Sequence, residues 1–184
     1  MTGKIVYKGK SKKGNEIIIR YPEKSDLNEL WRYINKLSKE KTFVRFQGEE
    51  ITLKEEEKFV KDTLKKIREK KTIQLLVFHR DHLIGISGIE MYDKVVKHLG
   101  LFGISVENEY RSEGIGRQLM RCVIEEAKKH LPDLRIITLS HFAVNSVARK
   151  MYDDFGFKEY GKLPKGLFYR ENYIDYIFMY KNIS

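Results

Sequence analysis

Apolar positions recur along this chain with two periods, and the change from one to the other lays out its elements. The β-branched run EIIIRYP (Glu16 to Pro22) predicts a strand. Behind Ser25, a predicted N-cap, Leu27, Leu30, Ile34 and Leu37 return at helical spacing. A second helix is predicted from Thr52, where Thr52 and Glu55 make a capping box and Phe59, Val60, Leu64 and Ile67 share one face. TIQLLVFH (72–79) and HLIGISGIEMY (82–92) read as strands around a tight Arg80-Asp81 turn, and KHLGLFGISV (97–106) as a third. A helix beginning near Gly114 must stop at Leu131, because Pro132 disfavours helical geometry in the residue before it. LRIITLS (134–140) reads as a buried strand, and NSVARKMYDDFGF (145–157) as a short helix with Asn145 at its N-cap and Gly156 just past its end. FKEYGKL (157–163) and NYIDYIFMYK (172–181) are predicted closing strands, the second with Tyr173, Asp175, Ile177 and Met179 in period two.

The resulting order, β-α-α-β-β-β-α-β-α-β-β, predicts an α/β (α+β) fold. Its sheet is mixed and mostly antiparallel, of about seven strands with about four helices, because hairpins impose antiparallel pairing and the β-α-β step through 110–119 imposes one parallel pair. A length of 184 residues suffices for one well-buried domain and is short for two. With no repeat or low-complexity linker, residues 15–184 read as a single domain, preceded by a basic arm (1–14) that can supply an extra strand.

Charge changes the picture only locally. The net charge is +10, and half of it comes from Lys4, Lys8, Lys10, Lys12 and Lys13 in an arm without acids. Elsewhere Lys and Glu alternate along helices, the pattern of a solvated face, so a dedicated nucleic-acid surface is not expected and the arm is its one candidate. No run approaches the ~20 apolar residues of a membrane span, and the N-terminus lacks the apolar core of a secretory signal. Cys122 is the single cysteine and cannot form an internal disulfide, which points to the cytoplasm. HRDH (79–82) holds metal-ligand residue types, but two histidines three apart in a tight turn do not converge, so no metal is expected.

The stretch YRSEGIGRQL (110–119) carries the chemistry. Glycine early in a helix costs about 1 kcal/mol against alanine, so Gly114 and Gly116 call for a reason. A P-loop string is absent, and a dinucleotide G-x-G-x-x-G fails because Leu119 stands where the third small residue belongs. R-x-x-G-x-G fits Arg111, Gly114 and Gly116. Unpaired N–H donors at the positive end of a helix dipole, with no Cβ in the way, let a phosphate come close. The same glycines would also serve a plain strand-to-helix turn.

At this point the sequence resembles the GNAT superfamily of N-acetyltransferases. Its second signature, N-x-x-A-x-x-x-Y-x-x-x-G-F, is matched by Asn145, Ala148, Tyr152, Gly156 and Phe157, and the HLGLFGISV strand and the closing Tyr173, Asp175, Met179 and Tyr180 are also similar. The resemblance spans roughly residues 16–181. It implies a splayed parallel strand pair at the CoA site, with pantetheine hydrogen-bonded to main-chain groups of Ile104, Ser105 and Val106. The pyrophosphate of the co-substrate acetyl-CoA would lie on Arg111, Ser112, Glu113, Gly114, Ile115, Gly116 and Arg117. Tyr152 aligns with the usual general acid, and would otherwise be a core aromatic. Asn145 would touch the pantetheine, cap its helix, or both. Many relatives place a base near Leu101, which cannot serve, leaving Glu90, His141 (which would otherwise be a satisfied core histidine) or a water relay. Glu113 departs from the usual Gly or Lys, and its carboxylate is expected to turn to solvent.

The resemblance further implies acetyl transfer to a primary amine in a ternary complex, the acceptor being a protein N-terminus, a lysine, a polyamine or a small amine. The acceptor site would be built from Phe43 to Glu50 and Leu163 to Tyr176, where Glu49, Glu50, Glu90 and Asp175 offer carboxylates and Phe46, Phe168, Tyr169 and Tyr173 offer walls. A homodimer is compatible with this reading. A non-catalytic acyl-CoA sensor and a ribosome- or nucleic-acid-associated protein using the basic arm are the alternatives.

Overall fold

The computed structural model describes residues 1–183. The chain gathers into two compact units, one of Met1–Glu90 with Gly103–Pro132, the other of Met91–Phe102 with the chain from Asp133 on. The first holds β1 (Ile5–Lys10), β2 (Glu16–Arg20), α1 (Leu27–Lys39), α2 (Leu53–Arg68), β3 (Thr72–His79), β4 (His82–Met91), the second half of β5 (Leu99–Val106) and α3 (Ile115–His130). The second holds the first half of β5, β6 (Ile136–Phe142), α4 (Ser146–Asp154), β7 (Lys158–Tyr169) and β8 (Asn172–Asn182).

Eight strands hydrogen-bond in the order β1-β2-β3-β4-β5-β6-β8-β7. β5 and β6 pair in parallel, whereas β1–β2, β2–β3, β3–β4, β6–β8 and β7–β8 pair antiparallel. The mixed, mostly antiparallel α/β fold expected from the sequence is therefore present, with one strand more than about seven. The parallel ladder joins Leu99, Gly100 and Leu101 to Ile136, Ile137 and Thr138, while β5 runs on for five further residues.

In the first unit β3 is buried on both faces, as an inner strand must be. Leu76 and Phe78 pack with Leu30, Tyr33 and Leu37 of α1 and with Val60 and Leu64 of α2. Ile73, Leu75 and Val77 point the other way by strand alternation, toward the face that meets α3 through its buried Leu119, Met120 and Val123. Burying each such aliphatic side chain is worth about 1.5–3 kcal/mol, which holds these helices on their sheet.

The local signals fare unevenly. The Thr52–Glu55 capping box forms, with the Glu55 N–H on Thr52 Oγ1 at 3.3 Å and the Thr52 N–H on Glu55 Oε2 at 2.8 Å. Ser25 is not the N-cap of α1. A short 3-10 turn precedes that helix, and buried Asp26 takes the role of local acceptor, binding the Glu23 N–H at 2.8 Å and the Arg20 guanidinium at 2.6 and 2.8 Å. β7 also continues past Leu163 to Tyr169, because the Pro164–Gly166 segment is absorbed as an irregularity between the Leu163 and Leu167 pairings. Arg170 and Glu171, at φ +48° and +62°, turn the hairpin.

Glu56, in the first turn of α2, is buried, and among the described residues it has no ion-pair or side-chain hydrogen-bond partner. Burial alone pushes its carboxyl up to about 7. The folded state therefore holds a proton that the unfolded chain releases at its ordinary lower pKa, so the contribution is full below that pKa and is lost as pH rises to about 7. Glu56→Gln is expected to remove this dependence and to stabilise the protein at pH 8 by about 1–2 kcal/mol. Melting temperatures of both proteins between pH 5 and 8.5 check it; parallel curves would show that Glu56 ionises freely.

Candidate active site

β5 ends at Val106, a single 3-10 turn follows at Asn108–Tyr110, and the chain then enters α3 through two left-handed residues. Ser112 has φ +64° and Gly114 φ +82°, with Gly114 at the N-cap of α3 and no side chain capping the helix. The first-turn N–H groups of a helix have no intrahelical acceptor, so those of Ile115 and Gly116 remain available beside the dipole's positive end. Successive N–H groups around left-handed residues form a concave anion site. A turn built this way fits a pyrophosphate, and the bare Gly114 is what lets the backbone adopt it.

Three charged neighbours behave differently from one another. The Arg111 guanidinium is committed to Glu40 at 2.5 Å, to the Val106 carbonyl at 2.8 Å and to Asn108 Oδ1 at 3.2 Å, so it braces the turn. Arg117 lies in the first turn of α3. Glu113 overturns the expectation that its carboxylate faces solvent: only 2% of it is exposed. It accepts hydrogen bonds from Ser11 Oγ at 2.6 Å and Asn15 Nδ2 at 2.9 Å and pairs with Lys13 Nζ at 3.4 Å. Those donors, Ser11 first, hold its carboxyl below the ordinary range despite the opposing effect of burial. The charge is thus turned away into the β1–β2 turn and neutralised there.

On β5, Ser105 Oγ meets the hydroxyl of buried Tyr33 at 2.8 Å, tying the strand to α1. Ile104, Ser105 and Val106 are half-buried. Behind them Glu107 is fully buried and accepts from Arg32 Nη1 at 2.7 Å and Lys36 Nζ at 3.0 Å, a hub that fixes the exit from β5.

In the second unit, Asn145 caps α4, its Oδ1 accepting the Ala148 N–H at 3.1 Å. Gly156 at φ +79° closes that helix, with the Gly156 N–H on the Asp153 carbonyl and the Phe157 N–H on that of Tyr152. Tyr152 is 6% exposed and packs against Phe102, His141 and Phe157, with ring centroids 6.3, 5.7 and 6.1 Å away. Among the described residues its hydroxyl has no partner, and burial pushes it up to about 12. It holds its proton throughout the neutral range and can only donate it.

The two base candidates are placed differently. Glu90, next to last in β4, is an exposed carboxylate paired with Lys66 Nζ at 2.6 Å. His141 on β6 is 5% exposed, its Nδ1 at 2.9 Å from the Phe142 carbonyl, so Nδ1 carries the proton and Nε2 keeps a lone pair. Nε2 is buried and has no partner among the described residues. Burial lowers the pKa of this ring, so it is neutral at pH 7. Of the carboxylates expected at the acceptor site, Asp175 is already held by the Lys165 N–H at 3.0 Å and Lys162 Nζ at 3.5 Å, and Glu49 by the Gln47 N–H. Phe168 and Tyr173 form an exposed ring pair at 5.1 Å, whereas Tyr169 is buried. His79 and His82 separate, His79 Nδ1 going to the Glu16 carbonyl and His82 lying 3.6 Å from both Glu29 and Glu107.

The Acetyltransferase (GNAT) family matches residues 31–157, more than half of the chain. The chain belongs to the GNAT acetyltransferase family. An acetyltransferase of the GNAT family from Streptococcus pneumoniae is 30% identical, with a TM-score of 0.83 over 92% of this chain and all of that one. A ribosomal-protein-alanine N-acetyltransferase from Brucella melitensis has the same fold at 20% identity, with a TM-score of 0.76 over 90% of this chain and 99% of that one. A putative acetyltransferase from Salmonella typhimurium, solved with its cofactor acetyl-CoA, shares the fold at 13% identity, with a TM-score of 0.78 over 91% and 94% of the two chains. No curated protein matches the sequence significantly. This GNAT acetyltransferase is an acyl-CoA-dependent enzyme of N-acyl transfer. No helix among its described residues is long and apolar enough to cross a membrane.

Proposed function

We propose that the enzyme moves an acetyl group from acetyl-CoA directly to a primary amine, with both substrates bound together. The observation that carries this reading is the α3 entry turn, where left-handed Gly114 leaves the first-turn amides of Ile115 and Gly116 open to a pyrophosphate. In this reading the amides of Ser112 to Arg117 hold that pyrophosphate, main-chain groups of Ile104, Ser105 and Val106 hold the pantetheine, and Asn145 adds an amide beside the cap it makes. A β5 backbone N–H polarises the thioester carbonyl.

Acetyl-CoA supplies an activated acyl carbon and a thiolate leaving group. As the amine nitrogen bonds to that carbon and the C–S bond breaks, the Tyr152 hydroxyl gives its proton to sulfur. His141 Nε2 takes the proton the amine must lose, and returns it to the Tyr152 oxygen to complete the cycle, so no net proton is gained. Glu90 suits this task less well, because it is exposed and already paired with Lys66. A lysine-type amine has a pKa near 10.4 and an α-amine one near 8, both largely protonated at pH 7. The ammonium therefore first loses one proton to solvent, and the proton His141 takes is the second, lost as nitrogen bonds to the acyl carbon.

Free thiol release from acetyl-CoA, measured with peptide N-termini, lysine peptides, polyamines and small amines, tests the reading. The structural neighbours named as ribosomal-protein acetyltransferases put protein α-amines first in that panel. At least one acceptor is expected to release thiol in step with its own acetylation by mass. CoA binding without turnover on any of them would make the protein a sensor.

A further inference from the structure

The basic N-terminal arm is a structured hairpin, and its turn is latched to the coenzyme loop. The Lys12 N–H donates to the Glu113 carbonyl at 2.9 Å, while Ser11, Asn15 and Lys13 close on the Glu113 carboxylate. The aliphatic chain of Lys12 consequently lies 3.4 Å from where a Cβ on Gly114 would stand. Beside this latch is a cavity of about 240 Å³, walled by Tyr7, Lys10 and Lys12 of the hairpin and by Gly114, Arg117 and Arg121 of α3. Four cations meet there. The acid in its wall, Glu113, is already occupied by its own latch. Among the described residues, Lys10, Lys12 and Arg121 form no ion pair.

The aromatic wall is fixed as well. The β1–β2 register shifts between Ile5 and Tyr7, and a Cβ on Gly9 would run into the Tyr7 hydroxyl, so a bare Gly9 is what lets that ring lie along its strand. Cations supply hydrogen bonds and charge to a phosphomonoester, and an aromatic face supplies stacking to a base. The two together match a phosphorylated nucleoside rather than a bare anion.

We propose that the hairpin is a coenzyme clamp: Lys10 and Lys12, positioned by Glu113, join Arg117 and Arg121 in binding the phosphomonoester of the coenzyme's adenosine end, with Tyr7 against the base. This deepens the proposed function and rests on its coenzyme reading. The arm's charge then serves the enzyme's own substrate, and the departure at Glu113 becomes the feature that holds the arm in place.

The test is calorimetric binding of CoA, of dephospho-CoA (the same molecule without its 3′-phosphate) and of adenosine 3′,5′-bisphosphate. It compares the wild type with Lys10→Ala/Lys12→Ala at fixed salt. The wild type is expected to prefer CoA over dephospho-CoA about tenfold, and the variant to lose that factor for CoA alone, a shift of about 1.4 kcal/mol. Both lysines are exposed, so the melting temperature is expected to be unchanged. No preference in the wild type, or a preference intact in the variant, overturns the clamp while leaving the coenzyme reading in place. Binding of neither CoA form by the wild type overturns the coenzyme reading and the clamp with it. The free bisphosphate binding as tightly as CoA would reassign the cavity to a nucleotide. A variant that binds CoA normally but loses single-stranded RNA would make the arm a nucleic-acid contact instead.

Discussion

Tyr152→Phe is expected to lower kcat for acetyl transfer about 100-fold, with KM for acetyl-CoA changed by no more than about twofold. The substitution removes one hydroxyl and nothing else that packs. Phe102, His141 and Phe157 surround the ring, and phenylalanine presents the same surfaces to them. The hydroxyl has no protein partner among the described residues, so its loss leaves no donor or acceptor unpaired and the melting temperature is expected to hold. What goes, in the proposed mechanism, is the proton for the leaving sulfur. With its pKa pushed up to about 12 by burial, Tyr152 is a donor at every pH where the enzyme folds, so it contributes no limb to the pH profile near neutrality. In the proposed mechanism the acidic limb belongs to His141. Burial lowers its pKa, so its lone pair survives to a lower pH than that of a free imidazole, and the acidic limb of kcat is expected to lie below the pH at which a free imidazole titrates. The same shift makes protonated His141 unfavourable in the fold, so the stability it contributes is present above the unfolded pKa and is lost as pH falls through the folded one. Steady-state kinetics from pH 5 to 9 on both proteins check these statements. An unchanged kcat in Tyr152→Phe would make Tyr152 a core aromatic and move the acid elsewhere.

Elements whose causes lie within a few residues were legible in the sequence, and those whose causes lie far along the chain were not. The Thr52–Glu55 box and the Asn145 and Gly156 caps of α4 depend on partners three to five residues away, and each forms as spaced. Glu113 depends on Ser11 and Asn15, 102 and 98 positions distant, so nothing near it in the chain could show that its carboxylate would turn inward. Likewise Arg111 is drawn off to Glu40 and Ser105 to Tyr33, contacts made only once α1 packs beside β5. β7 runs on past Leu163 for another reason. Pro164 and Gly166 are ordinary loop residues, and a strand takes them only because a local irregularity removes the need for their ladder bonds. His141 was visible as a histidine in an apolar strand, but its unpartnered Nε2 is a property of the packed interior, not of the pattern.

Gly114→Val is expected to weaken CoA binding about 100-fold, and to lower the melting temperature by only a few degrees. The two effects have separate causes. At φ +82° a β-branched residue is strained by about 1–2 kcal/mol, and that strain alone sets the loss of stability. A Cβ there would stand 3.4 Å from the flexible Lys12 side chain, an ordinary contact. The larger effect comes from the phosphate side. A chain that relaxes the strain rotates the Gly114 peptide and turns its N–H away from the anion, while a chain that keeps the turn sets an isopropyl group where the pyrophosphate approaches. Either way the first-turn amides lose their ligand, so affinity falls much further than stability does. Calorimetric titration with CoA, alongside a thermal melt of the same preparation, separates the two. A lowered melting temperature with unchanged CoA affinity would mean that Gly114 serves only to turn the chain into α3, and that the pyrophosphate sits elsewhere.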